Sequence, residues 1–128
     1  MPTVVQMRIW TVDEANEALP RVAAAVERIR TLFTEVREAR TRVQGNGGST
    51  NGGGVHASER AFQEIVRELD ADGIVVRDPE RGLIDFTAIA PDGRQYWLCW
   101  LPDEPAIAWW HWPEDGFAGR RPLTDPPE

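Results

Sequence analysis

The sequence has 128 residues, of which 41% are hydrophobic and 27% charged, and this length and composition predict one globular domain. No apolar run approaches the ~20 residues that cross a bilayer, and the net charge of -7 disfavours nucleic acid and anionic membrane surfaces as partners. One cysteine, Cys99, and no lysine among 14 basic residues exclude an internal disulfide, a multi-cysteine zinc site, Schiff-base chemistry and a phosphate-binding P-loop.

The first predicted element is a long helix over residues 12–43. Thr11 and Glu14 have the spacing of a capping box, in which each side chain accepts a hydrogen bond from the other residue's backbone amide. Pro20 lies about two turns into the helix, where it removes a backbone donor, so we expect a kink or a second start there. Apolar residues at alternating steps of four and three predict a packing seam: Ala15, Leu19, Val22, Val26, Ile29, Phe33 and Val36.

A glycine-rich segment separates this helix from a second, shorter one. Six of the eleven residues from 44 to 54 are glycine, which predicts a flexible linker. The alternative is a phosphate-cradling loop, but the segment follows a helix and lacks both a lysine and a fixed glycine spacing. The helical spacing of Phe62, Ile65 and Leu69 predicts a helix over residues 58–72, which would pack against the first as an antiparallel hairpin.

From residue 74 to 112 the hydrophobic period changes from helical to alternating, which predicts an antiparallel sheet. We expect a meander of three to four strands at residues 74–76, 82–87, 95–101 and 106–112. An irregular tail follows over residues 113–128. The whole pattern predicts an α+β fold in which the helical hairpin packs on one face of the sheet.

The turns between strands set the predicted register. Residues 91–93 have the sequence of a type I turn followed by a left-handed glycine, which places Phe86 opposite Leu98. A short connection over residues 102–105 would then place Leu98 opposite Trp109.

This register gives the sheet two apolar faces. The face of the sheet that points away from the helices is too apolar to lie in water. This predicts that the protein is a homo-oligomer, most simply a dimer. Its predicted interface residues are Trp97, Cys99 and Trp110. The alternative is that residues 4–10 or the C-terminal tail cover this face. The face toward the helices would carry Ile84, Phe86, Tyr96, Leu98, Trp100, Ile107 and Trp109.

Five blocks of sequence cover nearly the whole chain apart from the glycine-rich segment. They are WTVDEANEALP (10–20), DPERGLIDF (78–86), LCW (98–100), WWH (109–111) and GFAGRRPL (116–123). In this order they resemble the bacterial DUF2203 family. The resemblance implies a small cytosolic bacterial protein of unknown function. The first five residues, which show no basic region before an apolar stretch, likewise predict no signal peptide and a cytoplasmic location.

His111 begins the segment most typical of a metal site, because Glu114 and Asp115 follow it closely. A divalent metal would bind His111 and Glu114. Further ligands would be Asp85 or Cys99, from neighbouring strands. The predicted register, however, places His111 on the opposite face from these two residues, so the full set meets only across a dimer interface or in a register shifted by one. The simpler interpretation is a strand-end histidine bonded to Tyr96 or to a backbone carbonyl.

Two further groups of side chains have both a structural and a functional interpretation. Asp85, an acid in an apolar strand, is either paired with Arg81 or Arg94 or is a general base with a raised pKa. Arg120 and Arg121, beside two glycines, form either an anion-binding site or a turn whose arginines contact acids of the helices.

The sequence supports two functions of different classes. The helical seam, the two-sided apolar sheet and the lack of a coherent catalytic set favour a non-enzymatic, homo-oligomeric interaction or scaffold module. Cys99 fits this interpretation as a buried, inert thiol. The alternative is a metal- or small-anion-binding protein, an enzyme included, that uses His111, Glu114, Asp85 and Arg120.

Overall fold

Two helices precede an antiparallel sheet in the computed structural model, which describes residues 8–45 and 52–128. The strands pair in chain order as a five-stranded antiparallel meander. The predicted α+β fold is confirmed, with one strand more than expected. The elements are α1 (Val12–Gly45), α2 (Gly52–Ala71), β1 (Ile74–Asp78), β2 (Leu83–Ile89), β3 (Gln95–Trp100), β4 (Trp109–His111), a 3-10 helix (Phe117–Gly119) and β5 (Arg121–Pro122).

The first helix begins where the capping box predicts and continues past its proline. The Glu14 amide donates to Thr11 Oγ1 at 3.1 Å, and the Thr11 amide donates to Glu14 Oε1 at 2.9 Å. The expected second start at Pro20 is wrong, because α1 is a single helix. Ala15 and Val22, one on each side of the proline, are fully buried in the core, so packing holds the helix together where a backbone hydrogen bond is lost.

The second helix begins earlier than predicted, at Gly52 rather than near residue 58. Residues 52–54 of the predicted linker are therefore helical, while its residues 46–51 lie outside the described residues. Glycine costs about 1 kcal/mol in a helix relative to alanine, which weakens a helix without fixing its end. The predicted pairing of the helices is confirmed, with 6.2 Å between the ring centroids of Phe33 and Phe62. Within the described residues, neither helix has an apolar stretch long enough to cross a membrane.

The sheet confirms the predicted register of β2 with β3 but not that of β3 with β4. Phe86 lies opposite Leu98, as the turn chemistry predicts. Leu98, however, lies opposite Trp110 rather than Trp109. Because alternate residues of a strand point to opposite faces, this shift of one residue exchanges the two faces of β4.

The loop over residues 101–108 explains the shifted register. The predicted connection spans residues 102–105, but the observed loop is longer and is held by its own contacts and by α1. The Glu104 amide donates to Leu101 O at 2.9 Å, and the Ile107 amide donates to Asn16 Oδ1 at 2.9 Å. A side chain of α1 therefore holds the loop two residues before β4 begins.

The helix-facing side of the sheet carries the core, and Trp110 belongs to it. Trp110 was expected on the other face as an interface residue, but it is 1% exposed, and its Nε1 donates to Asp125 O at 2.8 Å. Trp109, expected in the core, takes the other face as a consequence of the same shift. The buried sheet residues of the core are Ile74, Ile84, Phe86, Ala88, Tyr96, Leu98, Trp100 and Trp110.

Replacing Trp110 by alanine should lower the free energy of unfolding by about 3–5 kcal/mol, the usual cost of deleting a buried aromatic side chain. Urea titration followed by far-UV circular dichroism measures this loss. Trp109→Ala is the matched control, since Trp109 is a partly exposed tryptophan in the same strand, and it should cost much less. Equal losses in the two variants would contradict the observed register.

Candidate functional site

Three buried side chains from neighbouring strands converge on the face of the sheet away from the helices, here called the outer face. Asp85 comes from β2, Cys99 from β3 and His111 from β4, and their exposures are 2%, 0% and 4%. One carboxylate oxygen, the thiol sulfur and one ring nitrogen all lie within 4.8 Å of one another. These three residues are called the Asp-Cys-His cluster below.

The strand register brings the cluster together. Asp85 lies directly opposite Cys99, and Cys99 lies opposite Trp109, two residues before His111. Because residues two apart in a strand share a face, His111 reaches the other two side chains diagonally. The expected position of His111 on the core face is therefore wrong, and the cluster forms within one chain without a dimer interface.

The Asp85 carboxylate has hydrogen-bond partners at only one of its two oxygens. Its Oδ2 accepts a hydrogen bond from Arg77 Nε at 2.9 Å and lies 3.0 Å from His111 Nε2. Its Oδ1 is buried and has no hydrogen-bond partner within the described residues. An unsatisfied buried polar atom costs roughly 1–3 kcal/mol. The site therefore has one buried acceptor that a bound ligand would satisfy.

The arginine that pairs with Asp85 is Arg77, not the predicted Arg81 or Arg94. The pairing of β1 with β2 shifts across residues 76–78, so Arg77 lies at a bulge, a feature that redirects a side chain. Arg94 is instead bonded to an acid of its own turn, and Arg81 lies over an aromatic ring of the tail. The sequence thus predicted an arginine partner but not which one, because a bulge leaves no signal in hydrophobic period.

His111 is oriented through both of its ring nitrogens. Nδ1 lies 2.8 Å from Trp112 O, and since a carbonyl only accepts hydrogen bonds, Nδ1 carries a proton. Burial lowers the pKa of His111, but hydrogen bonds to Asp85 and to the Trp112 carbonyl outweigh it, so this pKa lies above its usual value. The predicted bond to a backbone carbonyl is confirmed, whereas Tyr96, the other predicted partner, belongs to the core.

The Cys99 thiol is fully buried, as predicted, and is protonated at neutral pH. Burial, together with the negative charge of Asp85, raises the pKa of Cys99 to about 12. The Arg120 guanidinium, with Nη1 3.7 Å from Sγ, opposes this rise without cancelling it. Because the thiolate is the nucleophilic form of cysteine, these surroundings do not favour covalent catalysis by Cys99.

A cavity of about 270 Å³ lies beside the cluster. All three cluster residues line it, together with Arg77. The rest of its wall is mainly apolar and consists of Leu83, Pro113, Gly116 and Phe117. A further ligand placed in this cavity would therefore contact both the cluster and apolar side chains.

The other predicted site residues do not join the cluster. Glu114 is exposed in the turn after β4. Arg120 is paired with Glu104 and lies 4.6 Å from the ring centroid of Trp109. Arg121 is exposed in β5. The guanidinium of Arg120 thus already has an acidic partner, from the loop before β4 rather than from a helix, and this geometry favours the structural interpretation of that arginine.

Part of the outer face is covered by the chain itself. Trp97 lies beneath the Arg77 guanidinium, 4.7 Å from it, and Trp109 lies beneath that of Arg120. The C-terminal segment therefore covers part of this face, as the alternative interpretation predicted. Among the three predicted interface residues, Trp97 alone is partly exposed here, since Cys99 is buried and Trp110 lies in the core.

The cluster offers one nitrogen, one sulfur and one oxygen donor. This set suits zinc and neighbouring transition metals better than magnesium or calcium, which prefer oxygen ligands only. Three protein ligands would leave one position of a tetrahedral ion open. Ligand atoms of such an ion lie about 3.3–3.8 Å apart, as its bond lengths require. The widest gap in the cluster, at most 4.8 Å, would close by about 1 Å on binding.

A sequence model of the DUF2203 family, described as an uncharacterized conserved protein, matches residues 8–123 of the chain. The match confirms the resemblance predicted from five sequence blocks. No curated protein and no solved structure matches the chain. Family membership therefore assigns no activity, and the function has to be inferred from the site.

In the metal-free native protein, Cys99 should react with iodoacetamide at pH 8 at least about a hundredfold more slowly than in the unfolded chain. With a pKa of about 12, only about one thiol in ten thousand is ionised at this pH, against about a quarter of an unfolded cysteine. Mass spectrometry of the alkylated protein, in buffer with chelator and with or without guanidinium, gives both rates. Rapid alkylation of the native protein would contradict the buried, protonated thiol.

Proposed function

Since the chain belongs to the DUF2203 family of uncharacterised proteins, we propose its function from its own geometry: it binds a divalent transition-metal ion through Asp85, Cys99 and His111. The observation that carries the proposal is the buried Oδ1 of Asp85, which lacks a hydrogen-bond partner among the described residues and belongs to a side chain that lines the cavity. A metal ion would supply that partner. Zinc fits best, because its usual ligands include thiolate, imidazole and carboxylate.

The charges around the cluster support a cation at its centre. Asp85 raises the pKa of the Cys99 thiol because two negative charges this close repel each other. A divalent ion between them reverses this effect, since a metal deprotonates the thiol that coordinates it. The ion would also replace the proton shared by His111 and Asp85 and leave the histidine neutral, as a ligand must be.

Contacts behind the three side chains also support a metal site. Nδ1 of His111 is fixed by the Trp112 carbonyl, which leaves Nε2 to face the cluster. Arg120 donates toward Cys99 Sγ and would stabilise a thiolate there. Hydrogen bonds of this kind orient metal ligands and typically contribute 10- to 100-fold to affinity.

The proposal replaces the interaction module that the sequence favoured. One argument for that module was the prediction that the outer face requires a partner, and the chain covers part of that face itself. A homo-oligomer remains a prediction, with Trp97 as its partly exposed candidate. We also propose that the protein is bacterial and cytoplasmic: the family resemblance supports the first statement, and the single unpaired cysteine suits a reducing compartment.

Replacing any one of the three ligands should weaken zinc binding by at least about a hundredfold, more than the loss of a merely supporting hydrogen bond. The variants are Asp85→Asn, Cys99→Ser and His111→Gln, and competition with a chromophoric chelator measures the dissociation constants. His56→Gln is the matched control, because His56 is exposed and should not affect binding.

Far-UV circular dichroism and thermal melts of the metal-free variants separate lost ligation from lost folding. Equal zinc affinities of the native chain and of the folded Cys99→Ser and His111→Gln variants would overturn the proposal.

A further inference from the structure

Arg77 places a guanidinium at the edge of the cavity with part of its hydrogen-bonding capacity unused. Its Nε donates to Asp85 Oδ2 at 2.9 Å, and its side chain is 42% exposed. Within the described residues, Nη1 and Nη2 have no hydrogen-bond partner. The guanidinium carbon lies over the Trp97 ring, 4.7 Å from its centroid. Nη1 and Nη2, called the Arg77 fork below, are therefore available to bind a further group.

A carboxylate is the group that such a fork binds best, because two parallel N–H donors match its two oxygens. Arg77 lies next to the metal ligand Asp85 and lines the same cavity as all three cluster residues. An anion in this cavity would therefore have both the Arg77 donors and the proposed ion within the same set of lining residues.

The charge of the loaded site selects a monoanion. The charges of the Asp85 carboxylate and the Cys99 thiolate would cancel that of a divalent ion, and neutral His111 adds none. Arg77 then leaves one positive charge at the cavity, because Arg120 is already neutralised by Glu104. One carboxylate balances this charge, whereas a phosphate dianion exceeds it.

The cavity wall selects an organic acid over a simple inorganic anion. Leu83, Pro113 and Phe117 also line the cavity, so a ligand with an apolar portion could bury it against them. The volume of about 270 Å³ lies just below the range usual for drug-sized ligands, which limits the occupant to a small molecule.

We propose that the cavity binds a small organic monocarboxylate, with its carboxylate between the metal ion and the Arg77 fork and its apolar portion against Leu83, Pro113 and Phe117. This proposal rests on the proposed metal site. Arg77 would be a binding residue for this ligand and not a metal ligand itself.

Cobalt(II) in place of zinc tests the metal site and the carboxylate separately. The metal-free native chain is titrated with cobalt(II), and a thiolate-to-cobalt charge-transfer band in the near ultraviolet reports binding by Cys99. Benzoate is then added, and the visible d–d bands report any change in the coordination of the ion. Benzamide, which has the same shape without the charge, and inorganic phosphate are the comparison probes.

We expect benzoate to shift the d–d bands saturably, benzamide to leave them unchanged, and phosphate to bind more weakly than benzoate. Arg77→Lys keeps the positive charge but loses the fork, and should weaken benzoate binding by about tenfold, the loss expected from one charge-assisted hydrogen bond. The cobalt(II) complex of this variant should keep its charge-transfer band, because Arg77 is not a metal ligand.

Arg94→Lys is the matched control. Arg94 also donates through Nε to an aspartate, at 2.7 Å from Asp92, and also stacks on a tryptophan, 4.0 Å from the Trp112 centroid, but it does not line the cavity. This variant should bind benzoate like the native chain.

The outcomes of the experiment separate the metal site from the carboxylate site. Absence of the charge-transfer band overturns the metal site and with it the carboxylate site. A charge-transfer band with d–d bands that do not respond to benzoate overturns the carboxylate site alone. An equal response to phosphate and benzoate, or an unchanged benzoate affinity in Arg77→Lys, also overturns the monocarboxylate proposal and leaves the metal site intact.

Discussion

The pairing of β4 with β3 determines what the outer face of the sheet can do. With Leu98 opposite Trp110, the tryptophan fills the core, and His111 joins Asp85 and Cys99. A register of β4 shifted by one residue would bury the histidine among apolar side chains and separate it from both Asp85 and Cys99. A strand of three residues thus controls both the packing of the core and the composition of the site.

Much of the fold could be predicted because its signals are local. The capping box at Thr11 and the turn at residues 91–93 act within a few residues, and both give the observed geometry. The β4 register could not be predicted in the same way, because it depends on a contact with α1 that no local pattern reveals. The site was therefore predicted only in part: Asp85, Cys99 and His111 were candidates, but their convergence required a shifted register.

Arg77 illustrates the second limit of the sequence. The physical requirement that a buried carboxylate has a partner correctly predicted an arginine near Asp85. The choice among arginines depended on a one-residue bulge in β1, which neither composition nor alternation encodes. General requirements of burial and charge were thus more informative than proximity in sequence, which favoured Arg81, or proximity across the hairpin, which favoured Arg94.

The hydrogen bond from the Ile107 amide to Asn16 Oδ1 has a consequence for the order of folding. It joins residues 91 positions apart, whereas the β2–β3 hairpin closes through a short turn. Contacts between distant residues form slowly, because a long loop must close first. We therefore expect the hairpin with Asp85 and Cys99 to form early and β4 to adopt its phase only once α1 has docked. His111 would then be the last of the three side chains to reach the cluster.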